Sequence, residues 1–289
     1  MRIVIALGGN ALLPKGTKGT AKEQEKAAKS ALRKLSSLIN SHQVALTHGN
    51  GPQVGSLLLQ QHATNLVPEM PLDVLDAMTQ GEIGYFIQRS LSRKAAVIIT
   101  RAVVDETDPA FKHPTKPIGP FYDHIQPGVH MVMDAGRGYR MVVPSPQPLA
   151  IMERDAIVAL MKAGFIVVCG GGGGIPVTKE GEGVAAVIDK DNFSSLLAST
   201  VGADMLVFVT SVDAACTDFG KRSQEEVRKA TRREADVLLG AGHFAEGSMK
   251  PKVEAALRFL KKGGKKAIIC SINNIREALK GKAGTTITR

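Results

Sequence analysis

Val187-Ile188-Asp189-Lys190-Asp191 carries an apolar run straight into two acids flanking a lysine. Burying three such charges unpaired would be costly, so they must surface at an edge. Taken alone, the five residues fit a solvated turn between a strand and a helix equally well. The case for chemistry comes from four other turns rich in glycine or small residues: Gly8-Gly9-Asn10-Ala11, His48-Gly49-Asn50-Gly51, Gly170 to Gly174, and Ser211-Val212-Asp213. Each of them closes an apolar run. Consecutive glycines expose N–H groups with little side-chain bulk, which suits wrapping a phosphate. Such turns together with lysines and aspartates suit phosphoryl transfer, where catalysis is mostly positioning plus neutralisation of charge on the transferred group. Transfer to an ionised oxyanion needs no general base, so His48 receives no catalytic role.

The elements that must position these residues follow from periodicity. Continuous apolar runs at Ile3 to Leu7, Val44 to Thr47, Ala95 to Val104, Phe165 to Val168, Met205 to Thr210, Lys266 to Cys270 and Thr285 to Thr288 read as strands of the kind found in parallel sheets. Between them, helices are predicted over Ala21 to Ile39, Leu57 to Ala63, Leu72 to Leu91, Ile151 to Ala163, Ser194 to Val201, Gln224 to Leu239, Met249 to Lys262 and Ile275 to Leu279. The alternation implies an α/β fold with an open, mainly parallel sheet covered on both faces. Ligands of such sheets sit beyond the carboxyl ends of the strands, so the turns at Gly8, His48, Gly170, Ser211 and Asp189 can converge on one crevice. The alternation stops between Asp105 and Pro148, where eight prolines crowd a segment with apolar content of its own, including Phe121, Tyr122, Val129 and Val132. It is too long for an idle loop and reads as an inserted hairpin or lid.

Composition removes several classes. No apolar run approaches the roughly 18 residues needed to span a bilayer, and Ile3 to Leu7 is too short for the apolar core of a signal peptide; a cytoplasmic protein is expected. Cys169, Cys216 and Cys270 are odd in number and widely separated, against a disulfide framework or a zinc site. The net charge of +10 invites nucleic-acid binding, but basic residues are spread thinly, tryptophan is absent and only 4% of residues are aromatic, which leaves few stacking platforms. A positive field attracting small anions is the better reading. Gly8-Gly9-Asn10-Ala11 is not G-x-G-x-x-G, Gly242 to Ser248 lacks the lysine of a P-loop, and no G-x-S-x-G, H-E-x-x-H or C-x-x-C occurs.

Longer motifs carry a family likeness. Ala6-Leu7-Gly8-Gly9-Asn10-Ala11, His48 to Gly55, Met78-Thr79-Gln80-Gly81, Pro114-Thr115-Lys116-Pro117-Ile118-Gly119-Pro120-Phe121, Asp134 to Gly138, Val143-Pro144-Ser145-Pro146, the Gly170 run, Ile188 to Asp191, Gly242-His243-Phe244 and Gly247 to Lys252 follow one another as in carbamate kinase, which the chain resembles nearly end to end. The resemblance implies a three-layer αβα sandwich of the amino acid kinase fold. Its N-terminal lobe of about 1–185 would face carbamate and phosphoryl, with an inserted subdomain of about 106–148, and its C-terminal lobe of about 186–289 would face the nucleotide. It further implies a homodimer, transfer between carbamoyl phosphate and MgADP to give ATP and carbamate, and ATP/ADP with Mg2+ but no protein side chain assigned to the metal.

The resemblance also assigns roles to residues. Related kinases usually carry a lysine before the first Gly-Gly; Leu7 stands there, and Lys116 on the insertion would swing in instead. Lys190 and Lys252 would touch the transferred group and Asp189 would hold the lysines; Asp191, read from its position alone, is a helix N-cap or first-turn acid, with metal contact as the alternative. Amides of Gly8, Gly9, Asn10, Gly51, Gly170, Gly171 and Gly172 would cradle phosphoryl and carbamate oxygens. Ser211, Asp213, Phe244, Gly247, Ser248 and Met249 would fall on the nucleotide side. Asn192, where an apolar residue is expected, and Lys250 beside Lys252 depart from the pattern. The alternatives are another acylphosphate-forming amino acid kinase or a nucleoside monophosphate kinase of the same fold, and a nucleotide-binding protein without turnover.

Overall fold

The computed structural model describes residues 1–14, 16–134, 138–245 and 247–289, and of Asn10 the backbone. An eight-stranded sheet runs in the order Lys229–Thr231, Thr285–Thr288, Lys266–Ser271, Met205–Thr210, Arg2–Leu7, Gln43–His48, Ile166–Cys169, Ala95–Ile98. All neighbours are parallel except the Lys266–Ser271 and Thr285–Thr288 pair. The central strand shows why its sequence is apolar throughout: Ile3, Ile5 and Leu7 enter one core with Leu35, Leu46 and Ile87, while Val4 and Ala6 enter another with Phe193, Phe208 and Phe259. Alternate residues of a strand face opposite layers, and here both layers are dry. The first core is covered by the Ala21–Ser41 and Leu72–Ser90 helices, the second by Lys190–Thr200 and Lys250–Lys261. Full burial of each large side chain is worth about 1.5–3 kcal/mol. Among the described residues no helix is long and apolar enough to cross a membrane.

Four strands matter most for the site. Met205–Thr210, Arg2–Leu7, Gln43–His48 and Ile166–Cys169 lie side by side and parallel, so Ser211, Gly8, Gly49 and Gly170 leave the same edge of the sheet. Three strand spacings of about 4.8 Å make that edge about 14 Å wide, the scale of a nucleotide diphosphate with its acceptor.

Several expected boundaries move. The run Ala95 to Val104 is two strands: Ala95–Ile98 closes the main sheet, whereas Arg101–Val103 pairs with Ile175–Val177 and Ala150–Ile151 in a separate three-stranded sheet. The break falls at Thr100, whose backbone N–H and C=O are both held by the Gln80 amide. The glycine-rich stretch after His48 is mostly helix, since Gly51–Gln61 begins six residues before the expected start, with Pro52 in its first turn. The helix expected from Ser194 begins at Lys190 because Asp189 caps it, its carboxylate accepting from the N–H groups of Asp191 and Asn192. No strand leads into Asp189; residues 178–189 cross as irregular chain. The helix expected from Gln224 begins at Arg232, behind a capping box of Thr231 and Glu234 and two short strands. That from Ile151 begins at Arg154.

The insertion folds as its own antiparallel sheet, Lys116–Tyr122 beside Tyr139–Val143 beside Met131–Met133. It sits on the Gly51–Gln61 helix through Ile118 and Val54, which cluster with Leu75 of the Leu72–Ser90 helix, with backbone on backbone at one point. A Cβ on Gly55 would stand 2.0 Å from the Gly119 Cα.

Candidate active site

Two carboxylates organise three lysines at the start of the Lys190–Thr200 helix. Asp189 accepts from Lys116 Nζ at 2.6 Å through one oxygen and caps the helix through the other. Asp191, 4% exposed, accepts from Lys190 Nζ through Oδ1 and from Lys252 Nζ at 3.0 Å through Oδ2. The expected division therefore changes. Asp189 holds only Lys116, brought from the insertion, and also serves as the N-cap. Asp191 is the first-turn acid that holds both other lysines. Lys252 donates in addition to the Ser248 carbonyl at 3.0 Å.

The charges are mutually adjusted. Burial alone would raise the Asp191 carboxyl and would lower Lys116. The Lys190 and Lys252 ammoniums outweigh burial at Asp191 and hold it below the usual carboxylate range, and Asp189 outweighs burial at Lys116 and lifts it above the ordinary lysine value. Asp189 is likewise held below the carboxylate range by Lys116, against its burial. Lys190 is pulled below the ordinary lysine value by burial, with Asp191 opposing and Lys252 reinforcing the shift. Asp189, Asp191 and Lys116 are therefore each held in the charged form near neutrality.

The glycine turns close around this cluster. A Cβ on Gly49 would lie 3.4 Å from the Gly9 N and 3.9 Å from the Lys190 side chain, which places the first turn, the second turn and the lysine together. Gly9, Gly51 and Gly171 each head a helical turn, where amides lack intrahelical acceptors. Two expected donors are already used: the Gly8 N–H bonds the Val209 carbonyl at 2.9 Å, and the Gly170 N–H bonds Thr100 Oγ1 at 3.0 Å. Both amides are spent on holding their turns to neighbouring elements. The Asn10 side chain lies outside the described residues, as do Ala135 to Arg137 of the insertion motif. The Gly170 run needs its glycines because a Cβ at Gly171 would stand 2.3 Å from the His48 ring, and one at Gly172 2.3 Å from the Asn50 amide.

Supporting residues carried little sequence signal. Gln80 donates to the carbonyls of Thr100 and Gly171, and so braces the glycine loop. Asn50 donates to Asp76 Oδ1 and Thr79 Oγ1, each at 2.8 Å, beneath the same loop. His48 is buried with its Nδ1 3.3 Å from the Gly49 carbonyl; burial, with Lys190 nearby, pushes its pKa down to about 4, so it is neutral at pH 7. On the other side of the cluster, Ser211, Asp213, Gly247 and Ser248 are exposed. Phe244 and Met249 bury their side chains in the core with Val253 and can offer a ligand only backbone. The departing Asn192 accepts from Arg258 of the Lys250–Lys261 helix.

Carboxylate-held lysines beside open amides at the carboxyl edge of a parallel sheet have the chemistry to hold phosphoryl groups. The comparisons agree with that chemistry. Residues 1–271 match the model of the amino acid kinase family. The chain is 45% identical to the carbamate kinase of Trichomonas vaginalis, covering 99% of both chains, and 44% identical to that of Thermococcus kodakarensis, covering 100% of this chain and 99% of the other. Among solved structures it superposes on carbamate kinase from Giardia lamblia bound to AMP-PNP with a TM-score of 0.91 at 42% identity, covering 99% and 98% of the two chains. For the same enzyme bound to citric acid the TM-score is 0.94 at 41% identity, with the same coverage. The chain belongs to the amino acid kinase family and, within it, to the carbamate kinases.

Proposed function

We propose that this chain transfers a phosphoryl group reversibly between carbamoyl phosphate and MgADP, giving ATP and carbamate. The observation that carries the reading is the pair of carboxylates, Asp189 and Asp191, holding Lys116, Lys190 and Lys252 at the start of one helix beside the glycine turns. The family comparisons support it.

The transferred phosphoryl lies among the lysine ammoniums and the amides of Gly9 and Gly171. Its three equatorial oxygens gather charge as the bond to the departing oxygen loosens, and fixed cations there lower the barrier without reorganising at the moment of reaction. Carbamate arrives ionised, so no residue has to abstract a proton, in keeping with a neutral, buried His48. Lys190 and Lys252 stay on station because Asp191 bonds both. Lys116 rides on the insertion and reaches the pocket as that sheet seats on the Gly51–Gln61 helix. The half of the molecule up to about residue 185 serves the acceptor, and the half from about 186 serves the nucleotide through Asp213 and the backbone from Phe244 to Met249. Asp189 and Asp191 are committed to lysines. Mg2+ would arrive with the diphosphate and would neutralise phosphate charge there.

We further propose a homodimer in a cytoplasmic setting. Leu66 is 94% exposed and Val67 63%, with Met70 exposed on the same connection and Leu59 exposed on the helix before it, and a second copy of the chain is the partner that would cover them. Sedimentation of a Leu66→Asp, Val67→Asp variant as a monomer supports this, and an unchanged mass refutes it.

The reaction is tested by coupled ATP formation from carbamoyl phosphate and MgADP. Lys190→Ala or Lys252→Ala is expected to lower kcat by about 10²-fold or more, the usual loss for a preorganised oxyanion donor. Near-normal turnover in either variant would overturn the assignment.

A further inference from the structure

Arg140, on the Tyr139–Val143 strand of the insertion, has no part in the scheme above, yet its guanidinium is fixed by several contacts. Nε donates to the Gly119 carbonyl at 2.9 Å, Nη1 to Asp134 Oδ2 at 3.0 Å, and the group lies 5.0 Å from the centre of the Phe121 ring. Its side chain is 12% exposed. The remaining amino group, Nη2, reaches out of the insertion to the start of the Gly51–Gln61 helix, 3.8 Å from where a Gly51 Cβ would stand. That helix start has no side-chain cap, because the Asn50 amide is turned away to Asp76 and Thr79. Arg140 also lies close enough to Lys116 to disfavour its charge. A guanidinium thus faces an uncapped helix start with the Lys116 ammonium near by, and an anion between guanidinium and helix would be held by both.

We propose that Arg140 recognises the acceptor, bonding the oxygen of the carbamate carboxylate that does not receive the phosphoryl group, which is the carbonyl oxygen of carbamoyl phosphate in the opposite direction. The assignment rests on the reaction proposed above. A planar fork locked by three contacts suits a small planar acceptor, because little side-chain freedom remains to be lost on binding. Gly51 leaves the helix amide open on the facing side. The acceptor is then held from the insertion, while the phosphoryl is held by lysines anchored on the two carboxylates, so the in-line pair is aligned by two separately built supports.

Arg140→Lys keeps a cation on the strand and removes the fork. The KM for carbamoyl phosphate should rise about tenfold or more while the KM for ADP changes by less than about twofold, the loss of one hydrogen bond to a charged group being of this size. Arg140→Ala should lose more, and added guanidinium at millimolar concentration should restore part of its rate while restoring none in Lys252→Ala. If Arg140 only staples the insertion, Arg140→Lys will shift both KM values together and guanidinium will rescue nothing; either result overturns the proposal. Calorimetric titration with carbamoyl phosphate reads the acceptor site without turnover. Binding to Arg140→Lys weaker than to the unaltered chain by the same factor supports the assignment, and equal binding overturns it. An unaltered chain that binds carbamoyl phosphate but forms no ATP refutes the reaction instead.

Discussion

Asp191→Asn is the substitution that most sharply tests the lysine arrangement. It keeps the shape of the side chain and removes the one charge that faces both Lys190 and Lys252, at a position 4% exposed to solvent. Breaking a buried ion pair by removing one partner costs about 3–5 kcal/mol, because the charges left behind stay buried. Two like charges about 4 Å apart at an effective dielectric of about 20 repel by about 4 kcal/mol, a similar sum. One result should be a fall in kcat of roughly 10²–10³-fold as the two ammoniums leave their stations. A second result concerns pH. Burial already draws Lys190 below the ordinary lysine value, and Asp191 is the largest force opposing that shift. Without it the ammonium should be lost at lower pH, so the alkaline limb of the kcat profile should move toward neutrality. The sign in stability follows. Above the folded pKa of Lys190 the unfolded chain binds more protons than the folded one, so stability rises with pH until the ordinary lysine value is reached. The stability deficit of Asp191→Asn should therefore shrink as pH rises through that window. Steady-state kcat between roughly pH 6 and 10, with urea midpoints in the same buffers, measures both effects. A variant within about threefold of the unaltered kcat, with an unmoved alkaline limb, would refute the view that Asp191 holds the lysines.

His48 gives a second pH test. Its folded pKa of about 4 lies below the ordinary histidine value, so the unfolded chain binds the extra proton between about pH 6.5 and 4, and stability should fall by roughly 3 kcal/mol across that range as pH drops. Urea midpoints should show that slope and show it flattened in His48→Gln. Gly55→Ala should separate the insertion from the Gly51–Gln61 helix, since the new Cβ meets the Gly119 Cα at 2.0 Å. The expected loss is about 1–3 kcal/mol in stability, together with a kcat defect that follows the displacement of Lys116. An unchanged kcat would mean that Lys116 reaches the pocket without this seating.

Much of the fold was legible because its signals are local. Met205–Thr210, Ile275–Leu279 and Thr285–Thr288 lie where periodicity placed them, and the continuous apolar runs correctly announced a sheet covered on both faces. Helix starts were read less well. The signal for Arg232–Gly240 was present as Thr231 and Glu234 three apart, but the basic, periodic stretch before it resembled more helix. At Thr100 the strand break rests on the Gln80 amide, twenty residues away in sequence and invisible to periodicity.

The candidate site divides in the same way. Residue types and motif order were enough to nominate the lysines, the aspartates and the glycine turns. Which acid holds which lysine could not be read from Asp-Lys-Asp. Residues two apart at the start of a helix project toward roughly opposite sides, so Asp189 turns to the insertion and its own helix cap, while Asp191 turns inward to Lys190 and Lys252. The amides of Gly8 and Gly170 could not be known as spent until Val209 and Thr100 were seen beside them. Sequence by itself determined which chemical groups this chain has to offer and which segments are buried, because side-chain chemistry and periodicity are local properties. Only the tertiary structure decided which groups are paired, spent or open, because each pairing joins residues brought together by packing across the sheet.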